Sequence, residues 1–216
     1  MRKNVFIDLH VLETVPPSCV NRDDTGSPKT ALYGGAVRAR VSSQCWKHAV
    51  RESFQRMLPQ EDVGLRTKHV HELLTQAILA RDPQAKAEKL AEEALKAAGI
   101  SLKEDNREEK KAKETEKSEK KTGALFFISQ GQIDALAELA VSGEKLEKKA
   151  CQAALKAAPA VDIALFGRMV ADDPSLNFDA AAQVAHAIST HTVHNEYDYF
   201  TAVDDCAPED NAGAGH

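Results

Sequence analysis

Apolar and polar residues alternate from position 4 to 12, with Val5, Ile7, Leu9 and Val11 on one face and Asp8 and His10 on the other. A period of two predicts a half-buried strand. From Pro16 to Gly35 the chain is polar and rich in turn formers, including Pro16-Pro17, Asp23-Asp24, Pro28 and Gly34-Gly35. That is long for an idle connection, and ordered loops of this length usually carry function. A short strand follows, in which Val37, Ala39 and Val41 alternate with Arg38 and Arg40, so both guanidinium groups point to one side.

Ser42 and Ser43 are suited to cap a helix running to about Leu58, with Trp46, Ala49, Val50, Phe54 and Met57 as its apolar stripe. Its opposite face carries Gln44, Lys47, Arg51 and Gln55. Beyond Pro59 the composition turns to Ala, Leu, Glu and Lys, and the spacing predicts helices near 69–80, 84–98, 127–141 and 144–157. Inside this helical stretch, Lys103 to Lys121 holds eight basic and seven acidic residues with almost nothing to bury, which predicts a solvated helix or a disordered loop. Val161 to Met169 is a short apolar run that periodicity cannot divide between strand and helix. Phe178 to Val193 is similarly divided. Its alanines favour helix, whereas Ile188, Thr190, Thr192 and Val193 favour strand in its second half. After Asp205 the tail reads as irregular loop.

The 216 residues, 43% of them apolar, suffice for one substantial core or a core with a satellite domain. No run approaches the length needed to cross a bilayer, and the N-terminus lacks the features of a signal peptide. Four cysteines lie far apart without a C-x-x-C pair, which indicates neither a disulfide framework nor a structural zinc site. A cytoplasmic protein without a membrane partner is expected. The net charge of -5 opposes a nucleic-acid partner mildly, but charge is unevenly placed. Residues 1–56 carry nine basic and five acidic side chains, whereas the stretch from Val193 onward carries six acids and no Lys or Arg. Such polarity suits contact between a basic surface and a phosphate backbone or an acidic partner.

The start of the Ser42 helix offers backbone N–H groups and the positive end of a dipole, to which Lys47 and Arg51 add formal charge. Arg38 and Arg40 on the preceding strand, with Arg22 and Lys29 from the long loop, could extend the patch along a nucleic acid. The same residues also describe an ordinary solvated basic face, and taken alone they favour that reading. Catalytic readings are weaker. Asp23-Asp24 and Asp204-Asp205 could gather a metal, but vicinal acids in turn-rich segments more often form turns and caps. His186, His191 and His194 fit no zinc-helix spacing, and Gly26-Ser27-Pro28-Lys29-Thr30 lacks the glycines of a phosphate loop. Neither catalytic residues nor metals nor other cofactors are expected.

Taken together, Ser18-Cys19-Val20-Asn21-Arg22-Asp23-Asp24, Lys29, Tyr33-Gly34-Gly35 and Arg38-Ala39-Arg40-Val41-Ser42-Ser43-Gln44 with Lys47 form a specific set. Val161–Met169, Val184–His191 and Tyr199–Asp205 follow in the same order. This set resembles the CasC family, the repeated backbone subunits of the type I-E CRISPR surveillance complex Cascade, within the RAMP superfamily. The resemblance runs from about Val5 to Asp205 and fits poorly in the charged middle segment. It implies an α+β fold, an RRM-like (ferredoxin-like) palm with an inserted helical fingers domain and a projecting thumb. On that reading residues 1–68 begin the palm, 69–158 are the fingers with a flexible charged segment at 101–123, 159–194 continue the palm, and 195–216 begin the thumb. The family's palm has further strands, so the resemblance also implies that the palm here is incomplete.

The resemblance implies a non-enzymatic subunit that polymerises along a CRISPR RNA and presents it to target DNA, with other copies of itself and other Cascade subunits as partners. Arg22, Lys29, Ser42, Gln44, Lys47 and Arg51 would contact the guide backbone, Met169 would wedge beside displaced bases, and Tyr199 and Phe200 would lie at the thumb's root. Lys145, Lys148, Lys149 and Lys156 correspond loosely to a basic cluster that would touch duplex DNA, although a solvated helix face accounts for them better. The competing expectation is a metal-dependent RNA-cleaving backbone subunit of a related CRISPR effector, with Asp23 as its acid. A domain that binds only protein is the third.

Overall fold

The computed structural model describes residues 5–104, 120–170 and 173–197, together with the backbone at 202–203 and 213–214. The chain divides into two units, one of residues 1–45 with 185–216 and one of residues 46–184.

In the first unit, β1 (Thr30–Tyr33) and β2 (Ala36–Val41) form an antiparallel hairpin that pairs Thr30 with Ala39 and Leu32 with Val37. The two-residue turn needs positive φ at both positions, which Gly34 (61°) and Gly35 (73°) supply without strain. A second short strand at Ala187–Ile188 pairs Arg40 with Ile188 and Val41 with Ala187, completing a three-stranded sheet with β2 in the centre. Ser189 N–H and Val193 N–H extend the pairing by donating to the carbonyls of Ala39 and Val37, both at 2.9 Å. The arginine strand is therefore present, and in the second half of 178–193 Ala187–Ile188 is strand while Thr190 and His191 lie in a bend. The Ala-rich half is not helical.

The alternating segment at the start of the chain is not a strand. Residues 5–16 carry no ladder, and Phe6, Leu9 and Leu12 are 87–91% exposed. Alternation supplies an apolar face, but a strand also needs a neighbour's N–H and C=O groups, and none of the described strands lies alongside.

Helix α1 (Ser43–Met57) starts in the first unit and continues in the second. Ser42 is its cap, its hydroxyl accepting from Cys45 N–H at 3.3 Å. No residue of α1 is buried: Trp46 is 39% and Met57 77% exposed, so the expected stripe is covered only in part.

The remainder of the second unit is mainly helical. After α1 come β3 (Leu65–Thr67), α2 (Val70–Arg81), α3 (Ala87–Ala98), β4 (Leu102–Glu104), β5 (Lys120–Thr122), β6 (Phe126–Ile128), α4 (Gln130–Val141), α5 (Lys148–Ala154) and α6 (Val161–Phe166). The helical stretch expected over 69–158 lies wholly inside this unit. Val70, Leu74 and Ile78 of α2 meet Leu95 of α3, Ile133 and Leu136 of α4, and Leu155, all at most 1% exposed. Burying each Leu or Ile contributes about 2 kcal/mol. No helix among the described residues is long and apolar enough to cross a membrane.

Two boundaries differ from the sequence pattern, and one run that the pattern left open is decided. Phe126–Ile128, partly assigned to the third expected helix of this stretch, is a strand that pairs with β3, Leu65 facing Ile128. The helix starts just after it at a capping box: Ser129 Oγ accepts from Gln132 N–H, and Gln132 Oε1 accepts from Ser129 N–H. The edges of the charged segment form a two-stranded ladder, Leu102 facing Thr122 and Glu104 facing Lys120. The residues between, 105–119, lie outside the described residues. The ambiguous run at Val161 is helical because its N-terminal turn is tied from outside. Asp162, fully buried, accepts from Gly64 N–H at 2.8 Å and from its own neighbour Ile163 N–H at 3.1 Å, while Arg51 Nε donates to it at 2.9 Å.

Two of the ion pairs in this unit can be tested directly. Asp162→Ala strands the mostly buried Arg51 guanidinium and should cost about 3–5 kcal/mol, read from urea unfolding. Glu92 accepts from Lys120 and Lys96, both at 2.6 Å, and the two ammonium groups, Lys120 foremost, lower its pKa from 4.5 to about 2. A depressed carboxylate stabilises fully above its unfolded value and loses that stabilisation as pH falls through the folded one. Melting temperature should therefore decline between pH 5 and 2 more steeply than in Glu92→Gln.

Candidate nucleic-acid interface

In the first unit, the hairpin register places Ala31, Tyr33, Ala36, Arg38 and Arg40 on one face of the sheet and Thr30, Leu32, Val37, Ala39 and Val41 on the other. The two arginines share a face but not a fate. Arg38 is committed internally, its Nε donating to Tyr33 O at 3.1 Å and its Nη1 to Ser189 O at 3.0 Å. Arg40 makes no side-chain hydrogen bond or ion pair among the described residues, and its Nε is buried without an acceptor. Leaving such a donor unsatisfied costs about 1–3 kcal/mol.

The loop before the hairpin is built against β2. Lys29 N–H donates to Asn21 O at 2.8 Å, Arg40 N–H to Lys29 O at 2.9 Å, and Ser42 N–H to Asn21 Oδ1 at 3.0 Å. Within the loop, Asp23 Oδ1 accepts from Thr25 N–H, Thr25 Oγ1 and Ser27 N–H. The Thr25 hydroxyl is the largest of several influences holding this carboxyl below its usual range, and Lys29 adds to them. Asp23 is thus a turn former. Arg22 Nη1 donates to Gly26 O at 2.6 Å, closing the same turn.

Ser42 is 5% exposed and its hydroxyl caps α1, so it presents no side chain outward. Gln44 lies one residue inside the helix and is exposed. His186, one of the three histidines whose spacing fits no zinc helix, caps α1 instead, its Nδ1 accepting from Ser43 N–H at 3.1 Å. The ring is held as the Nε2–H tautomer, a capping partner rather than a ligand. Two of the three first-turn amides of α1, those of Ser43 and Cys45, are thereby already used, which narrows the anion site expected at this helix start.

In the second unit, α1 is joined to α6 and its surroundings at three points. Arg51 pairs with Asp162, also donates to Gly64 O at 3.3 Å, and lies 4.5 Å from the Phe127 ring centroid. Phe54 stacks on Phe166 at 6.5 Å, and Lys47 Nζ sits 5.8 Å from the same ring. With 14% of its side chain exposed, Arg51 belongs to the frame, whereas the half-buried Lys47 has only the Phe166 ring beside its ammonium among the described residues.

The residues after α6 carry the tightest geometry. Gly167 has φ 76°, and a Cβ there would lie 2.7 Å from Phe178 O, so only glycine fits. Arg168 is 4% exposed and donates to four neutral acceptors: Leu176 O, Phe127 O, Gln132 Oε1 and Leu155 O, at 2.9–3.1 Å. Burial lowers its pKa to about 10, which leaves it charged at neutral pH. Met169, next in the chain, is 86% exposed.

Lys145, Lys148, Lys149 and Lys156 are all exposed around α5, and Lys148 lies 3.4 Å from Asp173. Tyr199, Phe200, Asp204 and Asp205 lie outside the described residues. Among the described residues no group of three or more His, Cys, Asp or Glu side chains is arranged to hold a metal. The expected site residues thus fall into two sets, one per unit, and within each set some cations are internal and others open.

Two solved structures are similar to this chain. One, described as a CRISPR RNA-guided surveillance complex, pre-nicking, is 34% identical with a TM-score of 0.67 over 92% of this chain. The other, a CRISPR RNA-guided surveillance complex, is 33% identical with a TM-score of 0.55 over 82%. The chain spans 56% of the length of each matched chain. No curated protein matches it. A family model described as CT1975-like protein matches residues 7–216, and with nearly the whole sequence covered, the chain belongs to the CT1975-like family.

Proposed function

We propose that this chain is a non-catalytic, CRISPR RNA-binding backbone subunit of a Cascade-type surveillance complex, of the CasC kind. Copies line up along the guide in the cytoplasm and present it for pairing with target DNA, alongside other Cascade subunits. The sheet of β1, β2 and Ala187–Ile188 belongs to an RRM-like palm, and α2 to α5 belong to fingers inserted in it. Similarity to chains of CRISPR RNA-guided surveillance complexes supports the setting.

The observation that carries RNA binding is Arg40, a half-buried cation whose side chain has no hydrogen bond or counter-ion among the described residues. A phosphate oxygen is the ligand such a group lacks. Lys29, Arg22 and Gln44 flank it in sequence and in the same unit, and Lys47 and Met169 serve the guide from the second unit. Arg38, Ser42 and Arg51 act on the guide indirectly, by holding the strand, the helix start and α6. Base pairing would read the sequence while these groups read backbone and shape.

The competing nuclease would need Asp23 at a metal. Three hydrogen bonds to one of its oxygens instead support the turn.

Arg40→Ala with Lys47→Ala, in the complete subunit, should weaken CRISPR RNA binding about tenfold or more and reduce the salt slope by about 0.7 for each phosphate no longer neutralised. Filter binding between about 50 and 200 mM salt reads this, and unchanged affinity and slope would overturn the assignment. Guide-loaded assemblies incubated with matched RNA and Mg²⁺ should leave that RNA intact. Regular-interval cleavage that disappears in Asp23→Ala would establish the nuclease instead.

A further inference from the structure

The backbone on both sides of Met169 is fastened, while its side chain is free. On the N-terminal side, Arg168 and Phe178 exchange both backbone hydrogen bonds, at 3.0 and 2.8 Å, and the Arg168 guanidinium is anchored to four separate parts of the core. On the C-terminal side, Val170 N–H donates to Asn177 Oδ1 at 2.7 Å. Asn177 is itself positioned, since it ends a 3₁₀ turn over Pro174–Leu176 whose start is capped by Asp173 and whose Leu176 is fully buried. A flexible side chain therefore stands on a backbone fixed from two directions. Pre-organisation of this kind lowers the entropy lost on binding.

The chemistry of the exposed group fits a flat aromatic partner of any identity. A thioether is polarisable and unbranched, and its contacts with π-faces are favourable without a hydrogen-bond pattern to match. A nucleobase of arbitrary sequence is such a partner.

We propose that Asn177 and Arg168 are positioning residues for Met169, holding it at a fixed height as an apolar wedge against displaced guide bases. The clamp therefore rests on Met169 serving the guide. Arg168 supplies the rigid side of the clamp, and Asn177 supplies the side that can be altered without touching the core. Asn177 is exposed and its side chain serves only the Val170 amide among the described residues.

A double-mutant cycle in the complete subunit tests the clamp, using CRISPR RNA that carries 2-aminopurine at successive positions to report unstacking. Met169→Ala should weaken binding about 2- to 10-fold and abolish the fluorescence rise at the displaced position. Asn177→Ala should weaken binding about threefold when Met169 is present and have no further effect when position 169 is Ala. Asn177→Asp, which keeps an acceptor for Val170 N–H, should restore both signals. Unfolding midpoints measured in parallel separate these effects from lost stability. If Asn177→Ala acts equally in both backgrounds, or not at all, the clamp is wrong while the wedge stands. If Met169→Ala changes neither affinity nor fluorescence, the wedge is wrong and the clamp with it.

Discussion

A guanidinium held by carbonyl dipoles alone organises the second unit. Arg168 has no carboxylate partner among the described residues, and its charge is balanced by oxygen atoms from β6, α4, the residue after α5 and the 174–176 turn, with the Phe126 ring 4.9 Å from its centre. A buried cation is costly unless its donors are satisfied together. These acceptors converge only when their elements are docked, so the arginine links the helical core to the loop that follows α6. Asp162 performs the complementary task at the other end of α6, where one carboxylate joins Arg51, Gly64 and the helix's own first turn. Between these two groups α6 is fixed, although it is only six residues long.

The cations separate by the acceptors around them. Among the described residues, the side chains of Arg38, Arg51 and Arg168 donate to the protein's own oxygens, whereas those of Arg40 and Lys47 do not. Counting basic residues in the first quarter of the chain overstates the surface that a phosphate backbone could meet. It also misplaces it, because Arg38 and Arg40 share one sheet face and only one of them is uncommitted. Arg38 thus sets the geometry of the sheet, while Arg40 keeps a charge that the described residues do not pair.

Much of the helical unit was readable from local signals. The 3.6 period located α2, α3 and α4 to within a few residues, and the Ser129-x-x-Gln132 capping box marks the true start of α4 where periodicity placed it too early. The Gly34-Gly35 turn and the alternation of β2 were likewise written locally. Failures occurred where a partner decides. Val5 to Leu12 alternates as a strand yet has no described neighbour to pair with, and Lys103 with Lys120 and Lys121 found strand partners that composition does not reveal.

Sequence alone therefore determined the period of the longer helices, the turn glycines, the uneven charge and the motifs that resemble those of CRISPR surveillance-complex subunits. Tertiary structure decided which charges remain open. Arg51 meets Asp162 across 111 positions and Arg38 meets Ser189 across 151, and no local pattern carries that information. Periodicity and turn chemistry act within a few residues, whereas an arginine's freedom depends on whether the fold brings an oxygen to it.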